Sequence, residues 1–141
     1  MTAPVAHGAS CVAIRGRAVL IEGPPGSGKS SLLLELLDRG AALVGDDGVL
    51  LEARHGRLIA SPHPRTAGLV EVRNLGLLRL AEPVEASVAL VLTFDPDAPR
   101  LIEAPERCER GGVALPLIRL DPHSGPLKAE LALEHYGLAC D

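Results

Sequence analysis

Short apolar runs alternate with glycine- and proline-rich turns along most of the chain, and this pattern predicts many strands. Residues 11–22 predict two strands around a turn at residues 15–17. The second of them contains an unbroken apolar run over residues 18–21, which is typical of a strand buried on both faces. Further strands are predicted over residues 41–44, 49–52, 57–60, 86–94 and 113–120, the last interrupted at Pro116.

Only two segments have helical character. Leu32, Leu33, Leu36 and Leu37 form one helical stripe, and Gly40 follows where a C-terminal glycine is favoured. Residues 126–136 predict a second, C-terminal helix. Other segments predict no helix: residues 61–68 form a proline-punctuated loop, 69–80 alternate weakly, and 95–111 are expected to be exposed and mobile. The fold class is therefore α/β with few helices.

Composition restricts the function classes. A length of 141 residues with 47% hydrophobic residues predicts one folded domain over residues 1–141. Net charge −4 and 1% aromatic residues argue against nucleic acid as a partner. No run approaches the length of a membrane span and no secretory signal is visible, so a cytoplasmic protein is expected. Three widely separated cysteines favour neither a zinc site nor a disulfide framework.

One glycine-rich segment matches the phosphate-binding loop pattern G-x-x-x-x-G-K-[ST] at every fixed position. Its residues are Gly23, Pro24, Pro25, Gly26, Ser27, Gly28, Lys29 and Ser30. Glycines let backbone N–H groups approach phosphate oxygens, and the start of the following helix adds partial positive charge. The lysine of such a loop reaches the β and γ phosphates, and its serine completes a Mg²⁺ shell. A flexible turn is the alternative, but the flanking strand and helix favour nucleotide binding.

Phosphoryl transfer also needs acidic groups. Asp46 and Asp47 follow the next apolar strand, at the sheet edge where α/β proteins place ligands. An isolated Asp-Asp-Gly is more often a turn, but its position after a phosphate loop favours a catalytic pair. Glu71 and Arg73 are predicted on one face of a strand, where a solvated ion pair is the simpler interpretation. His7 taken alone is incidental.

The order of these motifs resembles a known family. His7-Gly8, the glycine loop, Leu-Val-Gly-Asp-Asp-Gly and Leu-Val-Glu-Val-Arg-Asn-Leu-Gly-Leu-Leu are similar to the C-terminal catalytic domain of bacterial HPr kinase/phosphorylase. The sequence resembles especially the short alphaproteobacterial form, which lacks the N-terminal domain. The resemblance implies a P-loop kinase core with a strand-rich mixed sheet, like phosphoenolpyruvate carboxykinase. The family signature corresponds to Val70, Glu71, Val72, Arg73, Asn74, Leu75 and Gly76.

The resemblance also implies an activity. An enzyme of this family uses ATP and Mg²⁺ to phosphorylate a serine of HPr, or of an HPr-like nitrogen phosphotransferase protein. It removes that phosphate with inorganic phosphate, releasing pyrophosphate. Lys29 would bind the β and γ phosphates, and Ser30 and Glu71 would serve the metal. Asp47 would act as base and, in reverse, as acid, with Asp46 supporting it and His7 assisting.

Two departures from the family pattern affect these expectations. Ser31 replaces a usually acidic residue, and residues 124–128 stand where longer members carry a catalytically important arginine. The kinase direction is therefore better supported than the phosphorylase direction. Longer members form hexamers, but the assembly of this chain is left open. An ATP- or phosphate-sensing module without transfer remains the main alternative, and a small-molecule kinase is a third, although no arginine-rich lid is present.

Overall fold

The computed structural model describes residues 3–139, which contain eleven strands and two helices. The strands are β1 (Val5–His7), β2 (Ser10–Ile14), β3 (Arg17–Glu22), β4 (Ala42–Gly45), β5 (Val49–Arg54), β6 (Arg57–Pro62), β7 (Leu69–Val72), β8 (Gly76–Arg79), β9 (Ala86–Phe94), β10 (Glu106–Arg110) and β11 (Val113–Leu120). The helices are α1 (Lys29–Asp38) and α2 (Pro126–Tyr136).

Most of the strands form one mixed sheet. Its main path runs β1-β5-β6-β9-β3-β2-β4, with β11 also paired to β9 and β10 paired to β11. The pairs β3–β9 and β9–β11 are parallel, and the other pairs are antiparallel. The strands β7 and β8 form a separate two-stranded sheet. The predicted strand-rich mixed architecture with few helices is confirmed.

The sheet is apolar on both faces. On one face, Val19 and Ile21 of β3 pack with the buried leucines of α1 and with Leu133 of α2. On the other face, Leu20 of β3 packs with side chains of β5, β6 and β11, including Leu115. Both faces of β3 are therefore covered, which confirms the prediction from its unbroken apolar run. Each fully buried leucine stabilises the fold by about 1.5–3 kcal/mol.

Four details differ from the sequence prediction. Strand β1 was not predicted, and residues 69–80, for which only a weak alternation was noted, contain the β7–β8 hairpin. Strand β11 runs without interruption through Pro116, because its pairing with β9 starts only at the next residue, so the missing N–H removes no bond to β9. Most of segment 95–111 is exposed, as expected, but the segment also contains β10, and Arg119 binds both Asp95 and Glu106 within it.

The lengths of the helices and the state of the cysteines bear on two of the expectations from composition. Neither helix in residues 3–139 is long and apolar enough to cross a membrane. Cys11 and Cys108 are free thiols, with Cys11 buried and Cys108 half-buried, and burial raises the pKa of both. Cys140 lies outside the described residues.

Candidate active site

Four strands direct their carboxyl ends to one edge of the sheet. Strands β3, β9 and β11 are parallel. Strand β2 is antiparallel to both β3 and β4, so β4 also runs in the direction of β3. The segments that follow these ends are the glycine loop, Asp46-Asp47, Asp95 and Asp121. Ligands bind at this edge in α/β sheets, so the topology places the predicted loop and the predicted acids together.

The glycine loop connects β3 directly to α1. Its three glycines, Gly23, Gly26 and Gly28, all have positive φ. The Ser27 hydroxyl donates a hydrogen bond to the carbonyl of Pro24 at 2.7 Å and closes the loop. Helix α1 begins at Lys29, so its first free N–H groups face the loop. Lys29 forms no ion pair within residues 3–139, which leaves its ammonium group available for an anion.

Asp46 joins three separate elements. Its buried carboxylate accepts hydrogen bonds on Oδ1 from the hydroxyls of Ser30 at 3.3 Å and of Ser10 at 3.1 Å. Its Oδ2 accepts the backbone N–H of Glu71 at 3.1 Å. The loop serine, the end of β4 and the signature hairpin are therefore connected through one carboxylate. The structure brings these predicted site residues together.

Asp47 differs from its neighbour in exposure. Its side chain is exposed, its φ is +53°, and its N–H donates to the Ser10 hydroxyl at 3.4 Å. A non-glycine residue at positive φ is uncommon and costs about 1 kcal/mol or more. The turn thus holds one acid inside, against the loop, and presents the other to solvent.

The signature segment, residues 70–76, contacts Asp46 through its backbone and not through a side chain. Glu71 lies in β7 with its side chain exposed, and its backbone amide makes the contact with Asp46. Arg73 lies in the turn after β7, so it does not share a strand face with Glu71 as predicted. The turn continues through Asn74 at φ +73° and Gly76 at φ +115°.

His7 pairs with Glu22 and not with the aspartates. Its Nε2 lies 2.7 Å from Glu22 Oε2, and within residues 3–139 no hydrogen bond connects its ring to Asp46 or Asp47. Arg110 binds the same glutamate through two nitrogens, at 2.7 and 3.0 Å. Glu22 is the last residue of β3, directly before the glycine loop. The sequence pattern did not predict this cluster. Its one local signal is Glu22, a charged residue directly before the glycine loop.

The Glu22 cluster makes stability dependent on pH. Burial raises the pKa of Glu22, but hydrogen bonds from His7 and Arg110 outweigh it and lower that pKa from 4.5 to about 2. The folded pKa lies below the unfolded one, so this stabilisation is complete above about pH 4.5 and is lost as the pH falls towards about 2. We expect the melting temperature of Glu22→Gln to fall less than that of the wild type over this acidic window.

At neutral pH the same variant should be less stable by about 1.5–3 kcal/mol, since it loses charge-assisted hydrogen bonds. Thermal unfolding at a series of pH values tests both statements. Glu109→Gln, which changes an exposed glutamate in β10, is the matched control. Parallel pH profiles for the wild type and Glu22→Gln would contradict the assignment.

A second residue that the sequence did not indicate lies against the loop. His123, at φ +64°, donates its backbone N–H to the carbonyl of Ser27 at 2.9 Å. A Cβ atom built on Gly28 would lie 3.0 Å from its Nδ1. The sequence carries no signal for this contact, because the histidine has no ligand spacing and depends on the turn after β11.

The donor set fits a magnesium ion that arrives with phosphates. Within residues 3–139 no cluster of three or more His, Cys, Asp or Glu side chains could hold a metal. The Ser30 hydroxyl at the start of α1, with the Asp46 carboxylate 3.3 Å away, supplies hard oxygen ligands. Mg²⁺ prefers a few protein oxygens completed by phosphate and water, and these residues meet that requirement.

The amino-acid sequence of this chain matches a known protein family. A model described as the HPr Serine kinase C-terminal domain matches residues 1–84, more than half of the 141 residues. The chain belongs to this family. The matched part of this HPr kinase domain includes the glycine loop, both aspartates and the β7–β8 hairpin. The family predicted from the motifs is confirmed.

Individual relatives show how far the similarity extends. The HPr kinase/phosphorylase of Clostridium tetani is 45% identical over 67 residues, which cover 48% of this chain and 22% of that protein. That of Streptococcus thermophilus is 36% identical over 127 residues, covering 81% of this chain and 41% of that protein. The chain thus spans less than half the length of either relative.

A solved structure shows the same fold. The HPr(Ser) kinase/phosphatase from Coxiella burnetii matches with a TM-score of 0.79 and 24% sequence identity. The match covers 92% of this chain and 94% of that chain. The overall architecture of this HPr kinase domain therefore occurs in a solved structure.

Proposed function

We propose that this chain is an ATP- and Mg²⁺-dependent serine kinase that phosphorylates HPr or an HPr-like phosphocarrier. The observation that carries the proposal is the position of Asp46, which contacts both the hydroxyl of the loop serine, Ser30, and the signature amide of Glu71. This contact places a second acid, the exposed Asp47, next to the metal-binding residues, and a nucleotide-binding module without transfer does not need that second acid. The named activities of the relatives support the same choice.

The loop residues bind and orient the nucleotide in this proposal. The N–H groups of the loop and of the start of α1 bind phosphate oxygens, and Lys29 neutralises the β and γ phosphates. Ser30 and Asp46 would hold the magnesium ion, with Glu71 contributing to the same site. A bound magnesium ion neutralises charge on the transferring phosphoryl group.

Asp47 is the general base of the kinase reaction and the general acid of the reverse reaction in this proposal. It accepts the proton of the substrate serine hydroxyl while that oxygen bonds to the γ phosphorus and the bond to the leaving ADP breaks. An exposed carboxylate beside a buried one suits this role, because the serine of a protein substrate must approach from solvent. In phosphorolysis an oxygen of inorganic phosphate attacks the phosphorus of the phosphoserine, and the bond from that phosphorus to the serine oxygen breaks. Asp47 returns the proton to the serine oxygen, and pyrophosphate is the other product.

The reverse reaction has less support from the residues present. The stretch that replaces the family arginine, residues 124–128, forms the end of the turn before α2 and the first residues of that helix. In this turn the Ser124 hydroxyl donates to the carbonyl of Asp121 at 2.6 Å. The stretch therefore supplies no guanidinium group for a second anion.

Several finer assignments belong to the same proposal. They are an HPr kinase catalytic domain over residues 1–141 and a P-loop core like that of phosphoenolpyruvate carboxykinase. A cytoplasmic location fits the expected substrate. Homo-oligomer formation, which light scattering on the purified chain measures, belongs to the same proposal.

Transfer of label tests the activity directly. The chain is incubated with Mg²⁺, γ-labelled ATP and purified HPr or its nitrogen-system counterpart, and label on a serine of the carrier is the expected result. Inorganic phosphate is then added, and formation of pyrophosphate reports the phosphorylase direction. A carrier with that serine changed to alanine is the control. ATP binding without any labelled carrier would instead support the nucleotide-sensing alternative.

A further inference from the structure

A cavity of about 620 Å³ lies beside the candidate active site, between α2 and residues 98–102. We infer that it binds the nucleoside part of the nucleotide, the purine base with its ribose. This inference rests on the proposed function, because it takes the triphosphate to lie on the glycine loop. The sequence motifs specify phosphate binding alone and assign no residues to the base.

The position of the cavity is the first argument. Its walls include Ile118 and Leu120 at the carboxyl end of β11, and Leu131 and Tyr136 of α2. Strand β11 is parallel to β9, and β9 is parallel to β3, which carries the loop. The cavity thus opens at the same edge of the sheet as the phosphate site, one strand beyond β9.

The direction of a triphosphate on the loop is the second argument. Its γ end must lie near Ser30 and Asp46, on the flank of β4. The opposite end of the phosphate chain therefore points towards β9 and β11. On that flank His123 contacts the loop through Ser27, and Asp121, two residues earlier, forms part of the cavity wall. A single turn thus connects the phosphate site to the cavity.

The chemistry of the walls is the third argument. A purine requires apolar contact area with a few polar groups for orientation, and cavities of about 300–1,000 Å³ accommodate such ligands. Leucine, isoleucine and tyrosine side chains supply the apolar area. Lys128 and Arg100, which form no ion pair within residues 3–139, lie at the rim and suit the α phosphate. The Asp121 carboxylate can accept a hydrogen bond from a ribose hydroxyl.

Comparing two ligands separates the base from the phosphates. Isothermal titration measures the binding of Mg²⁺–ATP and of Mg²⁺–tripolyphosphate, which lacks a nucleoside. Leu131→Glu places a carboxylate in the cavity wall, and we expect it to weaken ATP binding about tenfold or more while tripolyphosphate affinity changes less than about twofold. Leu101→Glu repeats the test from the opposite wall at a leucine that is 83% exposed, so folding is not at risk.

The matched control is Leu138→Glu, which adds the same charge at a leucine beyond the end of α2 and outside this cavity. A second readout needs no variant, because Tyr136 is the only tyrosine of the chain. Its ring signals in the NMR spectrum should shift when ATP binds and stay in place with tripolyphosphate.

These measurements distinguish failure of the nucleoside site from failure of the proposed kinase function. If both cavity variants bind ATP like the wild type and the Tyr136 signals do not move, the nucleoside assignment is wrong. The kinase proposal would survive that result provided that the wild type still binds both ligands. If the wild type binds neither ligand, the proposed function fails and the nucleoside site fails with it.

Discussion

Asp47→Asn is expected to reduce phosphoryl transfer to the carrier by about 10²- to 10⁴-fold while ATP affinity stays near the wild-type value. The amide keeps the size of the side chain but cannot accept the proton of the serine hydroxyl. The side chain is exposed, and within residues 3–139 the one hydrogen bond of Asp47 is made by its backbone N–H, so the substitution should leave the fold intact. Single-turnover label transfer and ATP titration measure the two quantities.

The neighbouring acid provides the decisive comparison. Asp46→Asn replaces one of the two acceptor oxygens by an NH₂ group, which is a donor. The one remaining oxygen cannot accept from the hydroxyls of Ser30 and Ser10 on one side and from the amide of Glu71 on the other. We therefore expect weaker Mg²⁺–ATP binding as well as slower transfer. Asp38→Asn, at the exposed end of α1, controls for loss of a negative charge. If Asp47→Asn retains wild-type turnover while Asp46→Asn binds ATP normally and transfers nothing, the two roles are exchanged.

Lys29→Ala is expected to weaken ATP and tripolyphosphate binding by about tenfold to a hundredfold, and transfer with it. The ammonium group has no partner ion within residues 3–139 and lies at the start of α1, where an anion is favoured. A charge-assisted hydrogen bond contributes about 1.5–3 kcal/mol, which corresponds to that range of affinity. Titration calorimetry with each ligand measures it.

A matched charge control lies at the opposite edge of the sheet. Arg15→Ala removes an exposed cation from the turn between β2 and β3, far along β3 from the glycine loop. Because the general charge change is the same, Arg15→Ala should bind both ligands like the wild type. Unchanged ATP affinity in Lys29→Ala would contradict the phosphate-loop interpretation.

Local sequence patterns predicted a large part of the fold because their signals act over a few residues. The glycine after α1, the leucine stripe within α1 and the apolar run of β9 are all patterns of residues that are close together in the chain. Strands over residues 49–52 and 57–60 were predicted for the same reason. The turn between them is tighter than those bounds imply, since Arg54 pairs with Arg57 across only two residues.

Segments whose structure depends on distant partners were predicted less well. Strand β1 contains three residues and forms only because β5 provides a pairing edge. Strand β10 is highly charged and is ordered by its hairpin with β11 and by Arg119. Pro116 suggested an interruption because a proline inside a strand usually removes a ladder hydrogen bond, and only the actual pairing shows that none to β9 is lost.

The amino-acid order alone was enough to identify the phosphate loop, the two acids after β4 and the family, since each depends on residue types at short spacings. The contacts among them came from tertiary structure. Asp46 meets Ser30 and the amide of Glu71 across 16 and 25 residues, and Arg110 reaches Glu22 across 88. These contacts form because β2 lies between β3 and β4 in the sheet and because the β7–β8 hairpin packs beside these strands. Strand pairing and packing between remote segments set such geometry, and no local pattern encodes it.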